Sequence, residues 1–243
     1  LGYMYGIYNE SVKDLNISGA TIICLVCFDS YGSTNTLLVE ALLNYVAADV
    51  SLKDTIIEVE VYASAKVLSG GIGGIYNLSN GTIKVDRSKI NVKADFSRSK
   101  DDIPADGINN SSTGSVIIGS LPDSTPDNMQ IITSHSNHKD SAVDNVDTGS
   151  VKIQRGYLKG SIGVFNSDNG RMELGINDGM VDSNMLSISG TESLFLSASQ
   201  IYIYDGTFTG NLDSASPIKI PDGYSLSKTD DNGIDKYVLI GKP

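Results

Sequence analysis

An asparagine recurs along this chain with the same neighbours, and that recurrence limits the possible folds more than any other feature. Asn9, Asn44, Asn77, Asn110, Asn145 and Asn166 each follow an apolar residue by two positions: Ile7, Leu42, Ile75, Ile108, Val143 and Val164. Six and eight positions after each Asn comes an apolar pair, from Leu15/Ile17 and Val50/Leu52 to Val151/Ile153 and Met172/Leu174. Gly81, Gly114, Gly149 and Gly170 stand four after their Asn, where the first two copies have Lys13 and Ala48. Leu186, Leu194 and Leu196 continue the apolar spacing without the Asn, as a seventh copy.

The pair at plus six and plus eight has the period of one strand face. A further apolar residue at plus thirteen (Ile22, Ile57, Ile90, Leu158) starts another short strand after a tight corner. The Gly at plus four suits a turn that needs positive φ. Units this short cannot bury their own apolar faces, so they must stack. Stacked Asn amides then hydrogen-bond along the pile. The expected fold is all-β, a right-handed parallel β-helix of about seven coils over residues 1–220, with 221–243 as a C-terminal capping hairpin or strand. The step from Asn145 to Asn166 is much shorter than the four steps before it. That short step is close to a minimal coil, and the longer ones carry loops from one corner, at 29–36, 62–73, 97–107 and 121–141. Segment 37–48 has a helix-like spacing of Leu38, Leu42 and Tyr45, but its Asn44 is in repeat register, so it is expected as a strand or one helical turn.

Composition narrows the partners. Of 243 residues, 29 are acidic and 18 are Lys or Arg, a net charge of −11, which argues against binding to nucleic acid or an anionic membrane. No apolar run is long enough for a membrane span. The first residues enter the repeat at once, so the chain looks like a piece of something longer, with no signal peptide in it.

Several segments carry a resemblance. YGIYN (5–9) with LNISGATI (15–22), GGIYNLSNGTIKV (73–85) and GINNSSTGSVIIGS (107–120) resemble the GIYN…GxIxI repeats of large cell-surface proteins of Gram-positive, gut-type Firmicutes. IYIYDGTFTGNLD (201–213), followed by IPDGYSL (220–226), is similar to the segment that closes such arrays. The resemblance implies a secreted or cell-surface protein of pectate-lyase-like architecture and brings no catalytic residues with it. No LPxTG-like sorting signal is present in these residues.

Candidate chemistry is sparse. Enzymes on acidic polysaccharides need carboxylates held across one cleft, or a basic residue with a calcium cluster. Asp101-Asp102 and Asp230-Asp231 sit in turn-like sequence, and solvated turns explain them. Arg87, Lys89, Arg155 and Lys159 are the best basic candidates, against plain solubilising charge. His135 and His138, the two histidines, would need a third ligand such as Asp140 or Asp144 to hold a metal, and a surface loop contacting glycans is the competing expectation. Cys24 and Cys27 point to opposite faces of a strand, which opposes a disulfide, and both are expected as buried small apolar residues. Asp168, Asp178 and Asp182 lack a calcium-loop spacing, so calcium is possible without support and no cofactor is expected. The Asn series is internal architecture. With 12 Tyr and no Trp, aromatic stacking on sugars is limited. The leading expectation is therefore a non-enzymatic surface module, adhesin-like or a stalk, that contacts glycans or host surface proteins through long corner loops. The alternatives are a polysaccharide lyase or glycoside hydrolase, or a carbohydrate-binding module.

Overall fold

The computed structural model describes residues 2–28, 36–64, 67, 69–96, 103–136, 140–167, 169–176, 184–196, 200–214 and 218–241. Among them every regular element is a strand. The first three coils are β1 (Gly2–Asn9), β2 (Leu15–Ser18), β3 (Thr21–Phe28); β4 (Thr36–Asn44), β5 (Val50–Lys53), β6 (Ile56–Ala63); and β7 (Ser69–Asn77), β8 (Thr82–Asp86), β9 (Lys89–Asp95). They are followed by β10 (Ala105–Asn110), β11 (Ser115–Ile118), β12 (Gln130–His135); then β13 (Asp140–Asn145), β14 (Ser150–Ile153), β15 (Gly156–Lys159). The narrowing end comprises β16 (Ile162–Asn166), β17 (Arg171–Leu174), β18 (Leu186–Leu196), β19 (Gln200–Ile203), β20 (Thr207–Ser214) and β21 (Ile218–Lys219).

Each strand pairs in parallel with its counterpart one coil away, which makes a parallel β-helix with three faces. The first face runs β1-β4-β7-β10-β13-β16-β18, the second β2-β5-β8-β11-β14-β17-β19-β21, and the third β3-β6-β9-β12-β15-β18. The first and third join because β18 turns the corner without a break: Leu186–Ser189 pair with β15, and Glu192–Leu196 pair with β16. The coil count departs slightly from about seven, since the second face alone holds eight strands, the last of two residues. Two antiparallel strands, β22 (Tyr224–Asp231) and β23 (Ile234–Gly241), follow, and β23 lies antiparallel against Thr207–Thr209 of β20.

The repeat register holds residue for residue. Ile7, Leu42, Ile75, Ile108, Val143 and Val164 stack along the first face, and the plus-six and plus-eight pairs stack along the second. Together with Ile57, Ile90, Ile131 and Leu158 on the third face they form one aliphatic core. Segment 37–48 lies in β4 as far as Asn44, with no helical turn. Cys24 is buried in the core while Cys27 is exposed, so the expectation that both are buried fails for Cys27; both thiols are free.

The Asn side chains form a ladder inside the first corner. Asn9, Asn44, Asn77, Asn110 and Asn145 each donate from Nδ2 to the Oδ1 of the next Asn, at 2.7–3.1 Å, ending at Asn166. The same Nδ2 of Asn44, Asn110, Asn145 and Asn166 also donates to the carbonyl four residues on. Leu196 is paired with Asn166 and ends the series. The glycines at plus four serve a different purpose from the one expected. Gly81, Gly114, Gly149 and Gly170 have no positive φ; a Cβ at Gly114 would stand 2.6 Å from the Gly81 carbonyl oxygen and 2.9 Å from Asn77 Nδ2. They are small because the ladder leaves no room. Positive φ recurs instead at the second corner, at Gly19, Asp54, Arg87, Gly119 and Gly175, while the first corner has it at Asn169.

Loops leave from two corners. The connections after β3, β6, β9 and β12 leave the third face, but residues 119–129 bridge β11 and β12 at the second corner. The expected loop 121–141 is thus two segments split by β12, because apolar spacing does not say which corner an insertion enters.

The ladder predicts a specific cost. Asn110→Ala strands Asn77 Nδ2 and Asn145 Oδ1 in the core, so urea unfolding should show a loss of about 3 kcal/mol. Ser111→Ala, in the same corner but with its hydroxyl on Asn109 outside the ladder, should cost well under half of that.

Candidate functional site: a carboxyl groove and a loop-walled cleft

Strand alternation fails once per coil on the first face. Ala41 and Leu42 both enter the core, as do Ala142 and Val143, and the pairing registers skip Gly6, Ala41, Gly74, Gly107, Ala142 and Gly163. This one-residue kink acts like a bulge and bends each strand. The residue at the kink faces the third sheet face at close range: a Cβ on Gly74 would meet Ile90 Cγ2 at 2.5 Å, and one on Gly6 would meet Ile22 Cγ2 at 3.2 Å. Small residues at minus three from each Asn are the sequence signal for it.

The kink turns two rows outward and bends them toward each other. At minus four the row is Tyr5, Glu40, Gly73, Asp106, Ser141, Ile162; at minus one it is Tyr8, Leu43, Tyr76, Asn109, Asp144, Phe165. Although these positions face away from the core, Glu40 and Asp106 are each only 4 % exposed. Gly73 provides the space that Glu40 fills: a Cβ there would collide with Glu40 Oε2, so the carboxyl leans along the groove toward Asp106. Glu40 Oε2 and Asp144 Oδ1 are buried without a hydrogen-bond partner.

Asn109 ties the lower part together. Its Nδ2 donates to Asp106 Oδ2 at 3.0 Å and to Asp144 Oδ2 at 3.5 Å, and its Oδ1 accepts from Ser111 Oγ at 2.6 Å. Because one nitrogen reaches both carboxyls, those two oxygens are no farther apart than the two contacts laid end to end. No described Lys or Arg pairs with the three acids. Burial pushes Asp106 up to about 6, against the bonds from Asn109 and the Ser141 N–H, and the Asp140 charge adds to the rise. Burial, then the Asp106 charge, lifts Glu40 and Asp144 well above the ordinary carboxyl range. Asp106 keeps two donors that favour its charged form, while Glu40 and Asp144 hold their protons more tightly than ordinary carboxyls. Beside Glu40, Tyr5 and Tyr8 (5.5 Å) and Tyr8 and Tyr45 (5.9 Å) form an aromatic group, with Tyr8 and Tyr45 about half exposed.

A second concavity of about 340 Å³ lies on the outer third face. Gln130, Tyr157, Ser187 and Thr207 are successive partners across β12, β15, β18 and β20 and make its floor, while Asp127 and Asn184 come from flanking corner segments.

The residues singled out by type are elsewhere. Arg87 clamps the second corner, bidentate to Asp54 at 2.7 and 2.8 Å and bonded also to Asp123, which raises its pKa. Arg155 Nη1 donates to the Gly119 and Leu121 carbonyls at 3.3 Å. Both are corner fasteners. Lys89 is half-buried at the start of β9, and Lys159 is exposed at the end of β15. His135 stacks on Phe96 at 5.2 Å, while Asp140 is taken up by Thr133 and Ser161 and Asp144 by the groove. His138 lies outside the described residues. Asp101, Asp102, Asp168, Asp178 and Asp182 are outside them too. Among the described residues no three His, Cys, Asp or Glu gather to hold a metal ion, and the groove acids are strung out in a line. No helix there is long and apolar enough to cross a membrane.

Asp106 links the groove to stability. Its pKa rises from 3.8 unfolded to about 6 folded, so its contribution is intact below pH 3.8 and is lost as pH climbs through 6. The loss amounts to about 3 kcal/mol at pH 8, taking 1.36 kcal/mol per unit. Asp106→Asn should therefore raise the melting temperature at pH 8 and leave it nearly unchanged at pH 4, as read by calorimetry. No protein family, curated protein or solved structure matches this chain.

Proposed function

We propose that this chain is an extracellular cell-surface β-helix module that binds glycans in the cleft over Tyr157. The observation that carries this reading is the make-up of that cleft: one aromatic ring on a rigid sheet, ringed by amide, hydroxyl and carboxylate groups from the strands and two corner segments. A sugar offers a ring's C–H face and a rim of hydroxyls, and such a site matches both. Strands hold the floor while loops supply variable contacts, the usual division between scaffold and recognition. The net charge of −11 favours neutral glycans over polyanions.

The cleft predicts its own test. A panel of neutral oligosaccharides should contain at least one that binds saturably in calorimetry, and Tyr157→Ala should weaken it tenfold or more. Binding that ignores Tyr157, or no saturable ligand at all, removes the proposal.

A further inference from the structure

We propose that the Tyr157 cleft selects ligands by their donor hydroxyls, and that Asp86, one coil away, is the positioning residue that holds the cleft's acceptor wall in place. This inference rests on the reading that the cleft binds glycans, and it names the chemistry the cleft selects.

The wall belongs to segment 119–129. At the second corner β2 and β3, β5 and β6, β8 and β9, and β14 and β15 are joined by tight connections, whereas β11 and β12 are joined by this longer one. It makes no strand pairing, so its polar backbone needs other partners. Asp86, at the end of β8 and only 8 % exposed, supplies them from the preceding coil. Its carboxylate accepts from Ser120 Oγ at 2.8 Å, from the Leu121 N–H at 2.9 Å and from Ser124 Oγ at 3.4 Å. Ser124 is fully buried in this seat. Arg87 adds a bond to Asp123, and from the following coil Arg155 Nη1 donates to the Gly119 and Leu121 carbonyls. The segment is thus gripped from both sides, with Asp86 as its buried anchor.

Beyond the anchor the segment closes on itself. Asn128 Oδ1 accepts from the Thr125 N–H at 2.7 Å, and its Nδ2 donates to the Asp123 carbonyl at 2.9 Å. This turn brings Pro126 and Asp127 to the cleft. Gln130 Nε2 donates to the Pro126 carbonyl at 3.0 Å. A carbonyl only accepts, so the nitrogen must face it, and Oε1 is the other end of the Gln130 amide. Asp127 is exposed and has no hydrogen-bond or ion-pair partner among the described residues. Beside the Tyr157 ring the wall therefore offers the Asp127 carboxylate and Gln130 Oε1, both acceptors. A ligand that meets acceptors must bring donors, or it leaves them desolvated and unpaired. Free sugar hydroxyls are such donors; O-methylated ones are not. Lys89 pairs with Gln130 on the side away from Tyr157, which opposes a cationic ligand at that end, so a neutral polyol fits best.

The test uses the whole chain. Amide exchange without ligand reads the seat: Asp86→Ala should speed exchange of the Leu121 N–H at least tenfold, and Asp86→Asn, which keeps an oxygen for that donor, should restore most of the protection. Calorimetry reads the cleft, with cellotetraose and mannotetraose as probes beside their O-methylated forms, at a temperature where every variant is folded. At least one free tetrasaccharide should bind saturably, and its methylated form at least tenfold more weakly. Asp86→Ala should weaken binding about fivefold or more, with the loss carried by entropy because the ligand must now order the wall, and Asp86→Asn should recover it. Asn128→Ala, which opens the turn without emptying a buried seat, should weaken binding in the same way and covers the case in which Asp86→Ala does not fold. Unchanged Leu121 exchange in Asp86→Ala overturns the inference. So does Tyr157-dependent binding that tolerates Asp86→Ala and Asn128→Ala, or that accepts methylated and free sugars alike; these outcomes leave the glycan reading standing. Absence of any saturable neutral glycan removes that reading and the inference together.

Discussion

The Asn ladder is the interaction on which the coil-to-coil order depends. A primary amide has two N–H donors and one carbonyl, and each buried Asn in the first corner uses them in two directions. In Asn44, Asn110 and Asn145 the amide nitrogen reaches along the pile to the next Asn and also closes its own turn through the carbonyl at plus four. Registration between coils and the shape of each corner are thereby set by the same side chain. A slip by one residue would bury an unpaired amide in every coil at once, which is a far larger penalty than the aliphatic stacks alone impose.

The kink on the first face shows how a packing solution can create chemistry. Small residues at minus three let the first and third faces approach, and the cost is a break in alternation. That break sends the residues at minus four and minus one outward into a shared fold of the surface. Acids placed there are dry on the outside of the protein, without the cationic partners that buried carboxylates ordinarily have. The groove holds them in the protonation states that their neighbours permit, and the fold bears the energetic cost.

Much of the architecture was legible because it is written in side chains that recur. The aliphatic pairs, the Asn and the third-strand residues at plus thirteen all predicted their strands. The site was not legible for a physical reason: Glu40, Asp106 and Asp144 stand in three different coils, far apart along the chain, and meet only through strand register. Choosing by residue type instead led to Arg87 and Arg155, which fasten the second corner through the Asp54 and Asp123 carboxylates and the Gly119 and Leu121 carbonyls, and to His135, which packs on Phe96. The small residues at minus three were visible throughout, yet a column of Gly and Ala looks like turn chemistry until the opposite face is in place. The same error of context assigned positive φ to the glycines at plus four, whose actual constraint is the amide beside them.

The third-face strands shorten steadily, with β3 and β6 at eight residues, β9 at seven, β12 at six and β15 at four. Each coil touches only its neighbours, so resistance to pulling is local and scales with the ladder bonds broken together. A tapering stack is consequently a graded mechanical element. Under lateral load the coils around β15 yield first and the wide coils around β3 and β6 hold longest, so extension would begin near the capped end and leave the Tyr5–Glu40 end of the groove intact.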